Sequence, residues 1–525
     1  MTSTEAPRLS GTITPTESTE SADDGAEHRS SDRRGVLPVR GVDSWRWDAV
    51  VIALIMVVVV AFNWLHVAAY KPLSPIDEFQ HVDYLYKAGK GEMVGRGDLV
   101  GDEAMHEEAC RGIDAVGPVL PCLPIGSYNA SQFQEGGQNT AYIHSPVYYF
   151  GTAWVGKVVV KVTPIDNLMK AARLLGPMWV LPALLLMVPT MRLLGARVAS
   201  RFAVSLLAVT VPMVLHATAT VNPDATALLG GALILCPPIL LGARWSGRAG
   251  RLLDGLAAAA SMALKPSNLV VLIAGLWLRV DLTLGPARAD EVIADEGPVT
   301  DVGDEVHVNE VVEVDLTSSA GPATVASSSP SVPKARRFRT VAAALVPLLI
   351  GAGIVSVVML LVQSGLAHED PKKIVMLNRF MIKGFPWTQF GESFLSTGSF
   401  TAGGSGTSYL APFLRLPFII VMSGLIALAS LVTTGVAAIR RDRVAAMARS
   451  TLVATVLGAP ALIIVNFVLQ QIYVSIPARY FMSLIPGVAI VCAVVLGRTK
   501  LAERALWLVT AVWLGSLTFA FVAAV

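Results

Sequence analysis

Apolar runs long enough to cross a bilayer recur throughout this sequence, at about 49–69, 172–191, 202–220, 222–243, 251–264, 266–284, 340–364, 412–438, 450–474, 480–497 and 503–524. A spanning helix needs roughly 20 predominantly apolar residues, so the bilayer is the main solvent of such a chain. Counting the runs on either side of Lys265-Pro266 as two spans predicts an all-α, polytopic transmembrane fold of about eleven helices. Composition agrees: 53% of residues are hydrophobic and 15% charged, against about a quarter charged in soluble domains. Mean hydropathy is +0.58.

The net charge of +2 is spread over short basic clusters between the apolar runs, which argues against nucleic acid as a partner. The clusters instead orient the chain. With a cytoplasmic N-terminus, Arg192/Arg197/Arg201, Arg244/Arg248/Arg251, Arg336/Arg337/Arg339, Arg440/Arg441/Arg443/Arg449 and Arg498/Lys500/Arg504 all fall inside. That consistency requires Pro146–Val162 to lie on the outer side as an interfacial or re-entrant helix, since counting it as a span would put Arg192–Arg201 outside. The expectation is a multi-pass cell-membrane protein with its C-terminus outside and its first run retained as a signal anchor, because no small-residue cleavage site follows it.

Residues 1–47 read as a disordered cytoplasmic tail, and 285–338, with Asp290, Glu291, Asp295, Glu296, Asp301, Asp304 and Glu305 before a Ser/Pro/Ala stretch, as a disordered acidic cytoplasmic insert. The insert divides a membrane domain into 48–284, with outer loop 71–145, and 339–525, with outer loop 365–411. Of four cysteines, Cys236 and Cys492 lie within apolar runs as small hydrophobes. Cys110 and Cys122 share the first outer loop, where an oxidising exterior allows a disulfide that spacing alone does not prove.

Four constellations carry candidate chemistry. Asp77, Glu78 and His81 follow the first span; on a helix, Asp77, His81 and Tyr84 share one face. Such a set supplies a base with its orienting partner, or ligands for a divalent metal such as Mg or Mn, but acids here also suit a helix N-terminus. His144-Ser145-Pro146-Val147-Tyr148-Tyr149 closes the same loop and equally fits an interfacial aromatic belt. In Asn222-Pro223-Asp224 a carboxylate sits at membrane depth, while Asn222 and Pro223 have the form of a helix cap. Arg173, Lys265 and Arg479 lie outside against the positive-inside trend, where they bind an anion such as phosphate or snorkel to lipid headgroups.

Asp77-Glu78-Phe79-Gln80-His81, Pro146-Val147-Tyr148-Tyr149, Asn222-Pro223-Asp224, Lys265-Pro266 and Arg479-Tyr480, in that order, resemble the GT-C superfamily of membrane glycosyltransferases. Within it the pattern is similar to a largely uncharacterised bacterial membrane family with a Pro-Asp-Glu-x-x-His motif after its first span. Ile76 stands where that family places a proline, and Ala478 where it places a glycine. The resemblance implies transfer of a sugar from a polyprenyl-phosphate donor to a cell-envelope glycan or lipid acceptor on the outer face, with inversion. Asp77 would be the base, Glu78 and His81 would orient it or help hold a metal, and Lys265, Arg479 and Arg173 would bind the donor phosphate. His144, Tyr148, Tyr149, Asn222, Asp224 and Tyr480 would line the substrate site. Trp387 and Gly403–Gly406 are expected in an acceptor lid. The competing expectations are a transporter or lipid flippase, for which intramembrane Asp224 and Lys265 also serve, and a non-catalytic partner in an envelope complex.

Overall fold

Helices account for every regular element among the described residues of the computed structural model, which are 45–114, 116–117, 120–284, 334–370, 373–396 and 410–525. The expected N-terminal tail lies outside the described residues up to 44, as does the expected insert over 285–333 and the lid glycines Gly403–Gly406. The helix after the insert begins at Lys334, so the last residues assigned to the insert belong to it.

Among the described residues, eight helices are long and apolar enough to cross a membrane: Trp45–Ala69 (α1), Leu168–Leu193, Pro266–Leu284, Phe338–Gly365, Pro417–Ala438, Arg443–Gln470, Ala478–Leu496 and Lys500–Val522. A ninth is formed only if Val198–Val209 and Pro212–Ala219, bent by 62° at the break before Pro212, count together. Proline removes a backbone donor and clashes with the preceding turn, so the bend falls where the sequence demands it. The other two of the expected eleven are helical but fall short. Pro223–Leu235 is a short apolar helix of about 20 Å against a ~30 Å hydrocarbon core. Arg248–Leu264 has 17 residues and carries Arg248, Arg251 and Asp254.

Ion pairs define the two ends of the bundle. At one end Asp48, in the first turn of α1, pairs with Arg192 and Arg201; Arg197 pairs with Glu503, Arg498 with Asp442 and Arg449 with Asp281. Arg192, Arg197, Arg201, Arg449 and Arg498 are thus each held by a carboxylate of another helix or loop.

The other end carries a folded layer. The segment that follows α1 holds Glu78–Lys90 (α2), Asp102–Arg111 (α3) and Pro146–Val162 (α4) around a small core that includes Phe79, Leu85, Met105, Phe133 and Tyr149. Cys110 and Cys122 are joined by a disulfide at the end of α3. The segment after Gly365 is docked on this layer: the Arg96 carbonyl accepts from His368 N at 2.9 Å, Gln138 Oε1 from Val375 N at 3.0 Å, and Arg379 pairs with Glu135 at 2.9 Å. Helix α4 does not qualify as a span. It packs Tyr148, Tyr149, Thr152, Ala153 and Gly156 inward and leaves Trp154, Val155, Val158 and Val162 exposed, the pattern of a helix lying along an apolar surface.

Leu168–Leu193 is interrupted at Gly176, between Leu168–Leu174 (α5) and Pro177–Leu193 (α6). The Thr218 carbonyl lies where a Cβ on Gly176 would be, so only glycine lets the α5–α6 junction approach the end of Pro212–Ala219. Arg173 of α5 and the backbone of Val221 both bond to Glu78.

Candidate functional site

Asp77 and Glu78 are neighbours in sequence and have opposite environments. Asp77 adopts a left-handed backbone (φ 54°, ψ 16°) immediately before α2 and makes no side-chain cap bond. Aspartate is one of the few non-glycine residues that tolerates this region. The Asp77 carboxylate thus makes no capping bond at the start of α2 and reaches Arg479 instead. Glu78 instead points into the bundle and is fully buried. Its Oε1 accepts from Arg173 Nε (2.9 Å) and Val221 N (2.8 Å), and its Oε2 from Arg173 Nη2 (2.8 Å) and Ser74 N (2.6 Å). Arg173 also donates to the carbonyls of Tyr70 (2.9 Å) and Pro72 (2.7 Å). Glu78 and Arg173, expected as a catalytic group and a phosphate ligand, are thus a closed clasp joining α2, α5, the end of α1 and the 221 turn. A carboxylate with both oxygens occupied and no exposed surface has nothing left to offer a substrate.

Asp77, Asp224, Lys265, Arg479 and Tyr480 do converge. Arg479 Nε is 3.2 Å from Asp224 Oδ2, and its Nη2 is 3.5 Å from Asp77 Oδ2. Lys265 pairs with the other oxygen of Asp224 and stands 4.6 Å from the centre of the Tyr480 ring, with the Arg479 guanidinium 5.5 Å from it. These residues come from four segments spread over more than 400 residues; Asp77 and Arg479 are 402 apart in sequence. Depth grades the network. Asp224 and Lys265 are buried, the Arg479 side chain is 18% exposed, and that of Asp77 is 56% exposed. Asp77 is therefore the carboxylate, and Arg479 the cation, that an incoming molecule meets, whereas Lys265 acts on it through Asp224. Partial burial raises the Asp77 carboxyl above its usual range; Arg479 opposes the rise, and the Asp224 and Glu135 carboxylates add to it.

A second group backs this one. His81 is buried, with Nδ1 2.7 Å from the Tyr149 hydroxyl and its ring 5.0 Å from that of His144. Tyr84 stacks on Tyr149 at 4.0 Å, so His81 and Tyr84 do share a face. Burial, then Lys265, push His144 down to about 4, with Arg479 adding and Asp224 opposing. Burial and then His144 lower His81 as well. Both imidazoles are neutral at neutral pH. Tyr148 is buried and accepts from Asn222 N at 3.0 Å. Asn222 caps the next turn by accepting from Asp224 N at 2.8 Å, so its side chain is used in shaping that turn. Tyr148, Tyr149 and Asn222 support the site from behind, while His144 and Tyr480, both partly exposed, border it.

The donors present do not fit a divalent cation. Glu78 has both oxygens bonded to Arg173, Ser74 and Val221, so Asp77, Glu78 and His81 do not form a three-residue ligand set. The two carboxylates that do face each other, Asp77 and Asp224, have the Arg479 guanidinium between them, which repels a second positive charge. Among the described residues the one cluster with ligand spacing is His106, Cys110 and Cys122, whose thiols are tied up in the disulfide.

Sequence reasoning missed two features. Ser74 Oγ lies 2.9 Å from His216 Nε2, and His216 Nδ1 lies 3.2 Å from His66 Nε2, a buried polar string running from the Asp77 turn into the bundle. Two histidines inside apolar runs were the signal for it. Glu135, also in a left-handed conformation (φ 54°), brings a third carboxylate within electrostatic reach of Asp77; nothing in its local sequence marks it.

The chain matches no family model, no curated protein and no solved structure. Its function is therefore read from the site itself.

Proposed function

We propose that the chain is a membrane glycosyltransferase of GT-C type that moves a sugar from a polyprenyl-phosphate-linked donor to a hydroxyl of a cell-envelope glycan or lipid on the outer face. The observation that carries this reading is the pairing of a reachable carboxylate, Asp77, with a reachable guanidinium, Arg479, at one end of a bundle of spanning helices. A lipid-linked donor presents its phosphate at that depth, and a phosphate is already a competent leaving group, so one base and one anchored cation suffice.

In this reading Arg479 takes the donor phosphate, with Asp224 and Lys265 fixing it from below. Asp77 removes the proton from the acceptor hydroxyl as its oxygen attacks the anomeric carbon. The bond from that carbon to the phosphate oxygen breaks, the electron pair leaves with polyprenyl phosphate, and the proton stays on Asp77. Attack opposite the leaving group inverts the anomeric centre. A positioned charge of this type is worth about 3 kcal/mol in the transition state, a hundredfold or more in rate. The residues present suit a reaction in which no divalent metal takes part.

The buried His66–His216 pair favours a second reading, a transporter or flippase of lipid-linked precursors, because ionisable side chains inside a bundle commonly mark a conduction path. Incubating the purified protein in nanodiscs with polyprenyl-phosphate sugars separates the two. A transferase releases polyprenyl phosphate when acceptor is present; a transporter leaves the donor intact.

A further inference from the structure

Arg479 holds two carboxylates on unequal terms. Its Nε edge faces Asp224, which is buried, anchored through Lys265 and fixed by the Asn222 cap. Its Nη2 end reaches Asp77 at 3.5 Å, longer than the roughly 2.7–2.9 Å of a close charge-assisted bond. Asp77 is more than half exposed, and exposed ion pairs are weak. A guanidinium is a planar fork that suits two oxygens of one phosphate. An arriving phosphate therefore displaces Asp77 far more readily than Asp224.

We infer, resting on the reading above, that Asp77 and the donor phosphate compete for Arg479, so that donor binding itself frees the catalytic base and the donor must bind before the acceptor can be activated. With no donor present, Arg479 lies against Asp77 and lowers its basicity. When phosphate takes the outer edge of the guanidinium, Asp77 loses that cation and keeps the Asp224 and Glu135 carboxylates as neighbours, both of which favour uptake of a proton. Proton transfer to Asp77 accompanies formation of the new glycosidic bond and cleavage of the bond to phosphate. When polyprenyl phosphate leaves, Arg479 returns to Asp77 and the proton is expelled. The Asp77 side chain makes no capping bond to α2, so the exchange breaks no bond to the helix.

Coupling of this kind is reciprocal: if phosphate releases Asp77, removing Asp77 must tighten phosphate. Inorganic phosphate is titrated calorimetrically into the detergent-solubilised full chain as wild type, Asp77→Asn and Glu135→Gln. In parallel, Arg479 is modified with an arginine-specific dicarbonyl and quantified by mass spectrometry. The expected result is phosphate binding about two- to fivefold tighter in Asp77→Asn, the range of an exposed ion pair, faster modification of Arg479 in that variant, and protection of Arg479 by phosphate in both forms. Glu135→Gln, which removes a nearby charge paired with Arg379, should change affinity less. Unchanged affinity in Asp77→Asn, or equal tightening in Glu135→Gln, overturns the competition while leaving Arg479 a phosphate site. If phosphate neither binds nor protects Arg479 in any form, the phosphate site itself is wrong and the inference falls with it.

Discussion

Replacing Glu78 by Gln should cost about 3–5 kcal/mol of stability, the range for removing one partner of a buried ion pair. The substitution is nearly isosteric, so almost no packing changes, but four donors converge on this carboxylate: Arg173 Nε and Nη2, Ser74 N and Val221 N, at 2.6–2.9 Å. The amide keeps one acceptor oxygen and turns an NH2 toward two of those donors, leaving the buried Arg173 guanidinium without its counter-charge. Against a typical total of about 5–15 kcal/mol, the loss takes a third or more of the margin. Asp77→Asn, one residue earlier, removes an exposed group and should stay within about 0.5 kcal/mol of wild type. The assay is equilibrium unfolding of both variants in mixed micelles with increasing denaturing detergent, alongside donor turnover. A Glu78→Gln protein as stable as wild type but inactive would refute the clasp and return Glu78 to the chemistry.

Asp224→Asn should destabilise strongly by stranding buried Lys265, whereas the double change Asp224→Leu/Lys265→Met should recover stability and remain inactive; unfolding of the single and double variants checks this. Glu108 is buried with neither carboxylate oxygen hydrogen-bonded, and burial raises it to about 7. Its folded form holds the proton more tightly than the unfolded chain, so stability falls as pH rises from about 4.5 to 7, and Glu108→Gln should exceed wild type at pH 8 while matching it near pH 4. Reducing the Cys110–Cys122 bond, or Cys122→Ser, should cost about 3 kcal/mol for so short a loop, read as earlier proteolysis of the first outer loop, with both thiols alkylated only after reductant.

Hydropathy made the membrane bundle legible because twenty apolar residues have few alternatives to a spanning helix. Span count was less legible. The 62° bend before Pro212 and the shortness of Pro223–Leu235 depend on what surrounds them, and an apolar run reads the same whether it crosses or stops. Asp224, Lys265 and Arg479 stood out as charges in places that disfavour them, and the structure joins them. Asp77 and Glu78 were inseparable in sequence because both are acids after a span. The left-handed turn sends one to Arg479, 402 residues away, and the other to Arg173, 95 away, and no local pattern encodes either partner. His66 and His216 each stand out as a histidine in an apolar run, but no local pattern encodes their meeting across 150 residues.

The most direct measurement is release of polyprenyl phosphate from a polyprenyl-phosphate sugar by the purified chain, wild type beside Asp77→Asn and Arg479→Gln, with folding of each confirmed by unfolding. Acceptor-dependent release by the wild type, reduced a hundredfold or more in both variants, is the predicted result. Equal release by wild type and Asp77→Asn, or transbilayer movement of intact donor with no release by any form, would contradict a transferase built on Asp77.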